Sequence, residues 1–397
     1  YALDVTGGVV NSGQDKASLL VGDAQGQMES EASGVVAAMD APDGAADAAA
    51  GTAGCVPAPG CYGEGYTDAG EPSFVSAAEQ PLSTLSADAD TASYANLRRL
   101  VRSGAALGTI DPGAVRIEEM LNYFDYDYAA PAEGEDFALT ARAGACPWNA
   151  ESELVVLGLT VGQAVTEAPP TNLVLLVDVS GSMGDAEKLP LLKESIARIV
   201  KGLRAEDRVS IVTYSGVEEV VLKGASGDDA EAILGAINGL EAAGSTNGEA
   251  GLSMAYRVAE ETHIEGGVNR IVMASDGDLN VGISSEDELN AFVSEKRGQG
   301  TYLSVLGFGS GNYQDAKMET LADHGNGSYH YIDSADEAAR VYERFLAAGA
   351  VPVADDVKLQ VEFDPWMVES YRLIGYANRT TSATTGPTRE NCALVPS

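Results

Sequence analysis

Residues 172–184 read NLVLLVDVSGSMG, and this stretch decides the fold. A short run of valine and leucine, apolar on both faces, is what a strand covered on both sides of a sheet requires. It ends at Asp178, passes Ser180 and Ser182, and gives way to the amphipathic pattern EKLPLLKESIARIVKGL at 187–203. A strand therefore hands over to a helix through a polar turn. The same alternation continues outward. RVSIVTY, RIVMAS, TYLSVLGFG and SYHYI read as strands, separated by helical patterns such as EAGLSMAYRVAEE, SEDELNAFVSEKR and DEAARVYERFLAA. Residues 171–347 are thus expected to form an α/β domain with a doubly wound, mostly parallel sheet flanked by helices.

In an open α/β sheet, ligands bind at the carboxyl ends of strands where the strand order reverses. Asp178 stands at such an end. Two further junctions have the same character: Gly244-Ser245-Thr246-Asn247 before a helix, and Ser275-Asp276-Gly277-Asp278 after RIVMA. Together they offer carboxylates and hydroxyls, a donor set of oxygens alone, which suits Mg²⁺, Mn²⁺ or Ca²⁺ and not zinc or copper.

The motifs DVSGSM, GSTN and SDG, in this order, resemble the metal-ion-dependent adhesion site of von Willebrand factor type A domains. The resemblance implies that Ser180 and Ser182 bind the metal through their hydroxyls. It implies that Thr246 does so directly or through water, and that Asp178 and Asp276 act directly or through bound waters. Asp278 is a candidate for the shell around them, or a solvated turn residue. An ion whose anionic ligands are held back by water is under-neutralised and seeks an outside carboxylate. The implied partner is a protein that supplies an Asp or Glu side chain, and the implied outcome is binding, not catalysis. No salt bridge from a lysine or arginine is expected to plug the ion's position.

Outside this domain, DADTASYANLRRLV, RIEEMLNYFDYDY, CPWN and ESYRLIGY resemble bacterial cell-envelope proteins that carry one such domain and are often lipoproteins. Their label of calcium-activated chloride channel homologue fits poorly, because nothing here can line a pore. The resemblance implies an extracytoplasmic location, with a lipid anchor upstream of Tyr1 where a targeting signal has been removed. The alternative is an intracellular assembly factor that partners an ATPase complex. A hydrolase lacks a convincing general base. The family's C-terminal region usually runs well past ESYRLIGY, and this chain does not.

Composition narrows the partners. Sixty acidic residues against 24 Lys+Arg leave a net charge of −36. A general nucleic-acid binder is excluded, since such proteins neutralise phosphates with lysine and arginine. Docking on anionic lipid is disfavoured for the same reason. No apolar run reaches the roughly 18 residues needed for a transmembrane helix. Four cysteines match no zinc pattern. Cys55 and Cys61 bracket VPAPG and form either a small disulfide or two free thiols, while Cys146 reads as a buried thiol.

The flanks read as follows. Residues 1–80 hold no Lys or Arg after Lys16 and few large apolar side chains, so they are expected to be a disordered acidic tether, or a dispensable leader. Residues 84–165 form an accessory region. Its first helix is capped at Asp90 or Thr91. Its second starts at Pro112 and presents Val115, Ile117, Met120, Leu121 and Phe124 on one face, and strands follow at 137–145 and 153–161. Residues 351–378 return as strands that are expected to pair with 137–161, and 379–397 form a polar tail. Trp148 and Trp366 read as core or contact aromatics. Arg98, Arg99 and Arg102 read as partners of carboxylates, and His263, His324 and His330 as exposed or capping. DGDLNVGISSED is not a calcium loop, because Val281 stands where that loop needs glycine.

Overall fold

The strand read from NLVLLV lies at the centre of the molecule with every residue buried. In the computed structural model, residues 4–10, 16–19, 63–68, 70–162, 169–277, 286–346 and 357–376 are described. In chain order the accessory elements are β1 (Asp4–Val10), β2 (Lys16–Leu19), β3 (Val75–Ser76), β4 (Leu82–Ser86), α1 (Ala92–Arg102), α2 (Ile117–Asn122), β5 (Phe137–Ala145) and β6 (Glu153–Val161). The α/β domain follows as β7 (Thr171–Asp178), α3 (Leu189–Ile199), β8 (Arg208–Tyr214), β9 (Glu219–Ser226), α4 (Ala230–Asn238), α5 (Gly248–Glu261) and β10 (Val268–Ser275). It continues with α6 (Glu286–Arg297), β11 (Thr301–Phe308), α7 (Asp315–His324), β12 (Asn326–Ile332) and α8 (Ala335–Val341), and the chain closes with β13 (Val357–Glu362) and β14 (Ser370–Tyr371).

The main sheet has the order β12-β11-β10-β7-β8-β9. All neighbours are parallel except β9, which runs antiparallel on the edge beside β8. Alternate side chains of β7 feed two cores. Val174 and Leu176 join α5, α6, α7 and α1 on one face, and Leu173, Leu175 and Val177 join α3, α4 and α8 on the other. Successive side chains of a strand point to opposite faces, so a strand apolar on both faces must be covered on both. The expected doubly wound sheet is the one found. The chain leaves β7 toward β8 and later returns to its other side with β10, so the order reverses between β7 and β10. There, in parallel register, Val177 lies beside Ala274, and the carboxylates that follow both strands come together.

The flanks depart from expectation in several places. β13 pairs antiparallel with β4 and with β1, not with 137–161, whose strands pair with each other. Contact between the two units is by packing: Val357 and Ala87 are covered by Phe137 and Leu159. Inside the span read as a tether, Asp4–Val10 and Lys16–Leu19 form strands. An average over eighty residues hides short segments such as DVTGGVV, whose backbone finds a ladder on β13. Cys55 and Cys61 lie outside the described residues, as does the 379–397 tail, and Cys146 is buried.

Two aromatic expectations fail. Trp148 is 65% exposed at the tip of the β5–β6 hairpin, and Trp366 is 95% exposed in the turn after β13. His330 is fully buried, bonded to Thr91 Oγ1 at 2.7 Å and Ser328 Oγ at 2.8 Å. Burial holds its pKa well below the ordinary value, so it is a neutral core residue.

Candidate metal centre

Asp178 is the last residue of β7 and is completely buried. Its Oδ1 accepts the backbone N–H of Ser180 at 2.8 Å, and its Oδ2 accepts the hydroxyls of Tyr214 and Ser275, both at 3.1 Å. Burial pushes its pKa up to about 6. The nearby charge of Asp276 adds to the rise, and the bonds from Ser180 and Ser275 oppose it. Among the described residues no lysine or arginine contacts Asp178.

After Asp178 the chain makes a short 3₁₀ turn over Gly181–Gly184. This turn sets the hydroxyls of Ser180 and Ser182 3.0 Å apart. Ser182 also donates to Asp276, which follows β10. Asp276 Oδ2 is held by Lys188 Nζ at 3.0 Å and by Asn312 Nδ2 at 3.0 Å. Burial alone would raise the Asp276 pKa, but Asn312, Lys188 and Ser182 outweigh it and hold the carboxyl below its usual range. Gly277, at φ +85°, makes the turn beyond Asp276, where a Cβ would stand 2.7 Å from the Gln314 nitrogen.

The loop of Thr246 lies against the same turn, with Gly181 N–H donating to the Gly244 carbonyl at 3.0 Å and Ala243 N–H to Val179 at 2.7 Å. Of the residues singled out in the sequence, Asp178, Ser180, Ser182 and Asp276 thus share one bonded set. Thr246 stands on the adjacent loop, half-buried. Asp278 lies outside the described residues.

Lys188 corrects the expectation that no cation stands at the site. It is 3% exposed, and its ammonium also donates to Asn312 Oδ1 at 2.7 Å. Gly309, at φ +77°, makes room for it: a Cβ there would fall 2.4 Å from the lysine stem. Lys188 and Asn312 carried no sequence signal, because each meets Asp276 only through the fold. The lysine is directed at Oδ2 of Asp276, and the partners of Asp178 are hydroxyls and a backbone N–H. A cavity of about 490 Å³ lies apart, lined by Pro112, Glu118, His324 and Arg372, and it includes none of the candidate ligands.

The residues fit a small hard cation. Their donors are all oxygen, and two oxygens at right angles about 2.1 Å from an ion lie about 3.0 Å apart, as the Ser180 and Ser182 hydroxyls do. Asp178, Ser180, Ser182 and Asp276 would hold it, and Thr246 stands two residues beyond Gly244, whose carbonyl bonds the same turn.

Comparison with known families places the domain. Residues 172–344 match the von Willebrand factor type A domain, residues 61–156 a model described as von Willebrand factor, and residues 348–384 the C-terminal model of the uncharacterized protein YfbK. The chain is 43% identical over 310 residues to YfbK of Escherichia coli, which covers 76% of this chain and 53% of that protein. It is 30% identical over 200 residues to human inter-alpha-trypsin inhibitor heavy chain H3, covering 48% of this chain and 22% of that one. Among solved structures, the manganese-loaded TRAP protein of Plasmodium vivax is similar at 16% identity and a TM-score of 0.38, covering 57% of this chain and 81% of that one. The chain spans about half the length of its E. coli relative. No helix among the described residues is long and apolar enough to cross a membrane. Residues 172–344 are therefore a von Willebrand factor type A domain, set between flanking segments similar to those of YfbK.

Proposed function

We propose that this chain is a non-enzymatic binding protein that holds a divalent cation, Mg²⁺, Mn²⁺ or Ca²⁺, through Asp178, Ser180, Ser182, Thr246 and Asp276. A protein partner's Asp or Glu carboxylate completes the coordination. The observation that carries this reading is the charge count at the centre. Asp276 pairs with the Lys188 ammonium while Asp178 meets no lysine or arginine among the described residues, so the two carboxylates and the one ammonium sum to −1. A divalent ion added to that set keeps one positive charge, and the hydroxyls add none. An external anion is then attracted to the ion itself.

An extracytoplasmic setting with a lipid anchor, which the resemblance of the flanking motifs to envelope proteins implies, is where such a partner would be met. Capture from a cell-envelope extract tests the reading. The wild-type chain is expected to retain a partner in Mg²⁺ and to release it in EDTA, while Ser180→Ala retains none. Equal capture with and without the metal would contradict it.

A further inference from the structure

The accessory segment at 63–66 reaches the metal centre through one loop. Glu64 is buried, with its side chain 1% exposed against Arg99 of α1 at 2.9 Å. Its Oε1 accepts the backbone N–H of Gly311 at 2.8 Å and Arg99 Nη1 at 3.0 Å, and its Oε2 accepts the hydroxyl of Tyr66 at 2.7 Å. Gly65 N–H donates to the Tyr313 carbonyl at 2.8 Å, and Asp315 N–H donates back to Gly65 at 3.0 Å. Gln314 Nε2 closes the contact on the Gly63 carbonyl at 2.7 Å. The loop between β11 and α7 is thereby held at Gly311, Tyr313 and Gln314 by residues 63–65, an ordered part of the span read as a tether.

That loop carries Asn312, next to Gly311. Its amide is the hinge of the polar set: Nδ2 donates to Asp276 Oδ2 and Oδ1 accepts from Lys188. The contacts run without a gap from Arg99 through Glu64 and Gly311 to Asn312, and from there to Asp276. Partners that orient a metal ligand, without touching the metal, typically carry about 10–100-fold in metal affinity.

We propose that Glu64 is a positioning residue for the metal centre. It clamps Gly311, thereby fixes Asn312, and through Asn312 sets the orientation of the Asp276 carboxylate. The accessory region thus tunes the affinity of a site from which it is separated by a loop. The inference rests on the metal reading above.

Mn²⁺ titration of the full chain by calorimetry, with unfolding midpoints measured alongside, tests it. Asn312→Ala is expected to weaken Mn²⁺ binding about tenfold, and Glu64→Ala, one contact further out, about 3–10-fold. The double variant is expected to match Asn312→Ala alone, because Glu64 acts only through Asn312. Glu64→Gln keeps an oxygen for Gly311 and is expected to bind like wild type even if it unfolds earlier, which separates positioning from general stability. Should Glu64→Ala not fold, Arg99→Met, which frees Glu64 from its anchor, is expected to weaken binding about 2–5-fold by the same route.

Glu64→Ala with wild-type affinity, or effects of Glu64→Ala and Asn312→Ala that multiply, would overturn the inference and leave the metal reading standing. A wild-type chain that takes up no Mn²⁺ would overturn both.

Discussion

Two regions of this molecule bury carboxylates, and they treat them differently. Where α1 and α2 meet the sheet, several of them face arginines. Arg116 meets Asp315, Glu119 and Glu319, Arg98 meets Asp333 and Glu337, and Arg99 meets Glu64. At the carboxyl ends of β7 and β10, Asp276 has Lys188, while Asp178 has only hydroxyls and a backbone N–H. Removing a charge from water costs several kcal/mol unless a partner compensates. The first region is built to hold elements together. The second holds one carboxylate by hydrogen bonds with no cation beside it, a charge that ion binding would balance.

This contrast can be broken by substitution. Arg116→Met strands Asp315, Glu119 and Glu319 without their shared cation and is expected to cost about 3–5 kcal/mol, read by denaturant unfolding. A loss below about 1 kcal/mol, the range of surface pairs, would show that these pairs do not anchor the accessory region. Lys188→Met removes the cation bonded to Asp276 and is expected to lower metal-free stability by about 2–4 kcal/mol. The loss should be recovered in Mg²⁺, because the ion then replaces the missing ammonium. A loss that Mg²⁺ does not repair would remove Lys188 from the charge count. The exposed pair of Arg198 with Asp336 marks the lower end. Arg198→Ala is expected to leave the unfolding midpoint within replicate scatter, since exposed pairs gain little, and a clear shift would blur the distinction between the regions.

The centre was legible where its chemistry is local. Asp178, Ser180, Ser182 and Asp276 follow strands whose apolar runs announce burial, and the α/β alternation brings those strand ends side by side. Lys188 and Asn312 were not legible. Lys188 sits in a helical pattern like any surface lysine, and its partners lie 88 and 124 residues away.

In α2 the periodicity misled. Ile117, Leu121 and Phe124 were expected inward and are exposed, while Glu118 and Glu119 are buried. The helix also starts at Ile117, since Pro112 opens a separate 3₁₀ turn. The physical reason is Glu119, whose carboxylate accepts Ser93 N–H in the first turn of α1 and pairs with Arg116. Tertiary capping turned the helix against its apolar stripe. Thr91 stands at the N-cap of α1 as expected, but its side chain bonds His330 instead of capping the helix, and Asp90 accepts Tyr329 N–H. The arginines, by contrast, meet carboxylates as their composition suggested.

The most direct measurement compares thermal unfolding of wild type and Asp178→Asn, each in EDTA and in Mg²⁺, between pH 5 and 7. Burial raises the Asp178 pKa to about 6 in the folded chain, so the folded state binds the extra proton. Wild-type stability without metal is then expected to rise as pH falls through 6 toward 4, with a slope from this group of at most about 1.4 kcal/mol per pH unit. Asp178→Asn is expected to lose that contribution, to unfold later than wild type at pH 7 in EDTA by up to about 3 kcal/mol, and to ignore Mg²⁺. Wild type is expected to be stabilised by Mg²⁺. A wild-type chain indifferent to the metal, or an Asp178→Asn variant that still responds to it, would contradict the account.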